Sequence, residues 1–184
     1  MCALRQREVL RWLVLLEFSD LMLDVLLGFL TLYFVDVAGF SPSQAGLGVA
    51  VWTGMGLLGD FLLIPLLDRM PGLVYLRISA VLELVLFTGF LLVDPPGLKI
   101  ALVGLLGFIN SGWYAILRAR LYSAMPGRSG ISLAVRNFAG LIGSLLPLGL
   151  EWIAQRYNLH TSIWLLLMGP LALYIGLPRR LSQE

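Results

Sequence analysis

AGLGVAVWTGMGLLGD, residues Ala45–Asp60, aligns without a gap on SGISLAVRNFAGLIGS, residues Ser129–Ser144, at an offset of 84. Six of the sixteen positions are identical, including Gly46/Gly130, Gly56/Gly140 and Gly59/Gly143. An internal repeat is weighed first because it sets the architecture. Both copies lie in apolar runs of the length a membrane helix needs, ~20 residues. The same offset carries the first apolar run of the chain onto the fourth and the third onto the sixth. Three helices are an odd number, so two such units in series sit inverted in a membrane.

Working outward, six apolar segments stand at about Trp12–Val35, Ala45–Leu67, Leu73–Leu92, Leu98–Tyr122, Ile131–Ile153 and Ser162–Leu177. Turn chemistry separates them at Gly39–Pro42, Met70–Gly72, Asp94–Gly97 and Pro126–Arg128. The expected fold is an all-α membrane protein of six transmembrane helices, built as two inverted three-helix repeats. It occupies residues 8–178, with repeat one at about 8–92 and repeat two at about 96–178; residues 1–7 and 179–184 are tails. Composition agrees: 59% of the residues are hydrophobic and 13% charged, against ~25% charged in soluble domains. That excludes a water-soluble globule, which lacks the polar surface to cover such an interior, and it excludes disorder. Continuous apolar runs, rather than alternating ones, argue against a barrel. One Cys and one His leave no disulfide framework and no Cys/His metal site, and no cofactor is expected. The first segment is too long and too acidic for a signal peptide.

Ten of the thirteen cationic residues fall on one side of this arrangement: Arg5, Arg7, Arg11, Arg69, Arg77, Arg118, Arg120, Arg128, Arg179 and Arg180. Lys99 and Arg156 fall on the other, and Arg136 lies within a segment. The positive-inside rule then places both termini in the cytoplasm of an integral membrane protein.

Polar residues are confined to particular faces. Glu17, Asp20, Asp24, Gly28 and Thr31 follow steps of three and four in the first segment, a single helical stripe. Thr53, Gly56 and Asp60 repeat the pattern in the second segment, and Gly107, Asn110, Ser111, Tyr114 and Arg118 in the fourth. Arg136, Gly140, Gly143 and Ser144 do so in the fifth. The third and sixth segments are apolar apart from Glu83. This predicts a cavity lined by segments one, two, four and five and supported by the other two. At 1.5 Å per residue, Glu17, Asp20, Asp60, Arg118 and Arg136 share a layer roughly 6–12 Å from the cytoplasmic ends. Asp24, Glu83 and Asn110 lie near the midplane. Each isolated charge at such depth costs at least ~2.5–3.5 kcal/mol, so pairing or hydration is required. The cytoplasmic layer is expected to be a switch of ion pairs, and Glu83 to take a structural hydrogen bond. Asp24, with no cation at its depth, is the candidate for loading and releasing a proton; the alternative is that it binds a cationic substrate directly. Asn110 and Tyr114 are expected across the cavity from it as substrate contacts, with Thr53, Gly28 and Trp113 along the path. Trp113 and Tyr114 fit either substrate stacking or filling of the bundle.

Three features resemble the C-terminal half of a major facilitator superfamily transporter over residues ~8–178. They are the six-helix unit with its three-plus-three repeat, the outer loop Gly39-Phe40-Ser41-Pro42-Ser43-Gln44-Ala45-Gly46, and the cytoplasmic loop Pro65-Leu66-Leu67-Asp68-Arg69-Met70-Pro71-Gly72. The last is similar to the superfamily's Gly-x-x-x-Asp-Arg-x-Gly-Arg motif. Ile64 replaces its first Gly, one residue is added before Gly72, and the following basic residues are missing. The resemblance implies half of a secondary active transporter moving a small solute by alternating access, with Asp68 and Arg69 joining Glu17, Asp20, Asp60, Arg118 and Arg136 as gating charges. It also implies a partner: a missing N-terminal six-helix half, a second copy or a separate subunit, besides the solute and the bilayer and without nucleic acid. The basic start after Met1 is similar to the loop between halves, so a piece of a twelve-helix protein is expected.

Two other classes compete. Gly127-Arg128-Ser129-Gly130 with His160 resembles the Ser–His dyad of rhomboid intramembrane proteases. Catalysis needs the pair within about 3 Å, whereas this topology separates them by most of a ~30 Å bilayer; no enzyme is expected. A non-transporting membrane scaffold leaves the acidic stripe of the first segment unexplained.

Overall fold

The computed structural model describes residues 2–125 and 145–178, and among these it is helical with no strand. Helix α1 (Cys2–Asp20) runs without a break through a π-helical turn (Leu21–Val25), α2 (Leu26–Leu32) and a second π turn (Tyr33–Val37). Then follow α3 (Pro42–Leu67), α4 (Gly72–Leu92), α5 (Pro96–Asn110), α6 (Trp113–Ser123), α7 (Leu145–Arg156), α8 (Leu159–Trp164), a 3-10 turn (Leu165–Leu167) and α9 (Met168–Gly176).

The helix ends follow from local chemistry. Gly39 takes φ +69, a conformation costly for other residues, and turns the chain after the second π turn. Ser41 and Gln44 close a reciprocal capping box, and Pro42 fills the first position of α3, where a missing N–H costs nothing. Pro71 and Pro95 precede α4 and α5.

Among the described residues four helical stretches are long and apolar enough to cross a membrane: Pro42–Leu67, Gly72–Leu92, Pro96–Ser123 and Leu159–Gly176. The second copy of the repeat, with Arg136, lies outside the described residues. The expected continuous segment Leu98–Tyr122 is interrupted: α5 ends at Asn110 and α6 restarts at Trp113.

Packing centres on α3 against α5, with α4 on α5, α9 on α1 and α4, and α1 on α6. Small residues let α3 and α5 approach closely, as in membrane bundles generally. A Cβ on Gly107 would strike the Trp52 carbonyl, and one on Gly59 would meet the Phe108 carbonyl oxygen at 2.6 Å. Tyr33, Phe34, Phe40, Phe87 and Phe90 form a buried aromatic cluster at the far end. The outer faces are apolar and exposed, notably Leu58, Phe61, Leu62 and Ile64 of α3 and Ile78, Val81, Leu82 and Val85 of α4. In water such a surface invites association; against lipid tails it is matched by its solvent.

Two charged residues depart from expectation. Lys99, counted among the cations of the outer side, is 4% exposed. Its Nζ donates to Tyr33 Oη at 2.9 Å and to the Phe90 carbonyl at 3.1 Å, with both rings about 5 Å away. Ring faces and two acceptors replace water around the ammonium. Glu83 was expected to take a hydrogen bond. It is fully buried on α4, and neither carboxylate oxygen has a partner among the described residues. Its neighbours one turn away, Ser79 and Phe87, leave it none: Ser79 Oγ donates to the Leu76 carbonyl and accepts from Trp113.

Candidate functional site: a cavity at a broken helix

The interruption of α5 and α6 sits at Ser111–Gly112. Ser111 is extended, with ψ 142, and Gly112 is left-handed, with φ +73 and ψ −6. Gly112 is required here twice over: a side chain would be strained at that φ, and its Cβ would overlap Leu63 Cδ2. Breaking a helix in an apolar setting frees backbone groups that must be bonded again. Tyr75 Oη of α4 lies 3.0 Å from both the Ile109 and the Ser111 carbonyl oxygens, so its single proton serves the two of them. Ser111 Oγ donates to the Phe108 carbonyl at 2.8 Å. The Gly112 N–H donates to Asp60 Oδ1 of α3 at 3.1 Å.

Beside the break lies a cavity of about 360 Å³. That falls in the range of small-molecule sites, ~300–1,000 Å³. Its wall comes from three directions. Asp24 belongs to the first π turn, Trp52, Thr53, Gly56 and Asp60 to α3, and Asn110, Ser111, Gly112 and Tyr114 to the broken helix. π turns inside α-helices occur often at functional sites, and this one carries Asp24. Thr53 Oγ1 donates to the Val49 carbonyl. Asn110 is 1% exposed, and neither its amide nitrogen nor its amide oxygen has a partner among the described residues. None of the lining residues among those described is a cation.

The structure therefore brings together Asp24, Thr53, Asn110 and Tyr114 of the expected path. It adds Asp60, expected in the gating layer. Gly28 is exposed but off the wall. Trp113 is turned away: its indole N–H donates to Ser79 Oγ at 2.8 Å in the core behind the break. Successive helical residues lie about 100° apart, so Trp113 and Tyr114 do not share a face. Trp52, Ser111 and Gly112 were not singled out as site residues; the Ser-Gly pair was the available signal for the last two.

The gating layer is only partly described. Glu17 and Asp20 are half-buried on α1, and Asp68 and Arg69 are exposed in the turn after α3. Arg118 was expected to pair with acids. Its partners among the described residues are instead aromatic: it donates to Tyr122 Oη at 3.1 Å and lies 5.8 Å from the Tyr114 ring centre. Arg136 lies outside the described residues. His160 is exposed at the start of α8, edge-on to Trp164.

No family model, curated protein or solved structure matches the chain.

Proposed function

We infer that the chain is half of a secondary active transporter, moving a small solute through this cavity by alternating access. The observation that carries the reading is the cavity itself: a broken helix and a π turn that carries Asp24 both line it, and α3 and the broken helix are apolar enough to span a membrane. Discontinuous helices at the substrate site are a recurring device of secondary transporters. Carboxylates in such a setting face water or partners and mark solute or ion paths.

In this reading six helices span, as two inverted repeats with both termini cytoplasmic. One further correspondence supports the repeat. At the offset of 84, Gly112 falls on Gly28, three residues past the first π turn. Each lining helix thus leaves regular α geometry near this position, the first just before Gly28 and the second at Ser111–Gly112. Cavity-facing Asp24, Thr53 and Tyr114 lie on the side that a partner half would cover, whether an N-terminal half, a second copy or a subunit. Asp24 is the proposed place where a proton exchanges for solute.

The test is accessibility from both sides. With Cys2→Ser removing the native thiol, Thr53→Cys should react with a membrane-impermeant thiol reagent added to either face of sealed vesicles. Reaction from one face only, or from neither, contradicts alternating access.

A further inference from the structure

We propose that the cavity takes a small organic ammonium cation, a step that rests on the transporter reading and names its solute class. Two carboxylates, Asp24 and Asp60, reach the same wall from different helices, and among the described residues no Lys, Arg or His lines it. An anionic solute would meet two like charges with nothing opposite them. A neutral solute would leave both acids without a counter-charge. An ammonium satisfies both, beside apolar helices that make the attraction stronger than in bulk water.

Asn110 is the independent sign of a ligand. A buried side-chain amide offers two donors and an acceptor, and leaving them unused costs ~1–3 kcal/mol. Asn110 leaves all of them unused while lining the cavity. Buried polar groups in native proteins are ordinarily satisfied, so this one is placed for something that arrives. The amide atoms are buried behind the wall, so they meet an ammonium N–H or a polar group of the solute once the side chain turns toward the cavity.

The remaining wall suits the carbon part of such a molecule. Trp52 and Tyr114 line it together with the apolar Leu23, Leu27 and Ala115. The volume equals that of about a dozen waters at ~30 Å³ each, enough for one ring and a short aminoalkyl chain. Arg118, 5.8 Å from the Tyr114 ring centre and bonded to Tyr122, does not line the cavity. Its charge is therefore not the neutralising partner of the two acids.

The experiment compares three probes that share a phenol ring and differ in charge: tyramine, N-acetyltyramine and 4-hydroxyphenylacetate. Each is titrated calorimetrically into the purified full chain in lipid nanodiscs. Tyramine should bind at least about tenfold more tightly than its neutral N-acetyl derivative, and the carboxylate should not bind. Asp24→Asn, which preserves shape, should remove most of the preference for the amine, and Asp60→Asn part of it. Equal or tighter binding of the neutral or anionic probe overturns the cation assignment, and so does a preference that survives Asp24→Asn. Absence of binding by all three overturns it as well. The transporter reading fails by a different result, the one-sided or absent reactivity of Thr53→Cys, so the two failures are distinguishable.

Discussion

Asp60 Oδ1 accepts a hydrogen bond from the Gly112 backbone nitrogen at 3.1 Å, joining two membrane helices at the point where one of them is broken. The bond does two things. It occupies the first free N–H of the half-helix α6, where the backbone dipoles favour a negative charge. It also ties the acid to the cavity wall rather than to an arginine of the cytoplasmic layer. Replacing Asp60 by Ala should cost ~1 kcal/mol, the usual effect of losing a helix N-terminal acceptor. Asp60→Asn keeps an acceptor and should cost less. Thermal unfolding in detergent checks the order; an Asn variant no more stable than the Ala variant would show that the bond contributes nothing.

Gly112 carries the break. Gly112→Ala places a Cβ at a positive φ, costing ~1–2 kcal/mol, and drives it into Leu63. Gly54→Ala, on the same bundle, meets nothing within 4 Å and should stabilise by up to about 1 kcal/mol through helix propensity. The first should lower the melting temperature and the second hold or raise it. The same response from both would mean that the helix is continuous at Ser111–Gly112.

The Lys99 cage makes a coupled prediction. Tyr33→Phe removes an acceptor from a buried ammonium and should destabilise by about 1–3 kcal/mol. In Lys99→Met the charge is gone and the Tyr33 hydroxyl matters less. The double variant should therefore lose less stability than the two single losses added together, and strict additivity would dissolve the contact.

Glu83 predicts a gain. It is buried without a partner among the described residues, and replacing such a group with an apolar one of similar shape is neutral or favourable. Glu83→Met should raise the melting temperature. A clear fall would show that the carboxyl group holds its surroundings together.

Much of this was legible in the sequence, for local reasons. The capping of α3 by Ser41 and Gln44, and the starts of α4 and α5 after Pro71 and Pro95, depend on residues within one turn. The helical stripes of Asp24, Thr53, Asn110 and Tyr114 came from spacing alone, and the structure seats these four residues on one cavity wall. The rest depends on tertiary contacts. Hydropathy averages over a window, so it passes across Ser111–Gly112 without registering a break that Tyr75 makes tolerable from another helix. The π turn at Asp24 has no compositional mark. Lys99 reads as an outer-side cation at the end of its segment, and nothing near it in sequence shows that Tyr33 and Phe90 close around it. Trp113 looked like a neighbour of Tyr114, but one residue is more than a quarter of a helical turn.

The central claim is a wet cavity in the middle of an apolar bundle, and spin-label accessibility measures it directly. A nitroxide at Thr53→Cys in the Cys2→Ser background should relax more with a water-soluble nickel chelate than with oxygen, which concentrates in lipid. A label at Val85→Cys, on the exposed apolar face of α4, should show the opposite preference. If the Thr53 label reports oxygen and excludes the nickel chelate as the Val85 label does, the cavity is dry and the account is wrong.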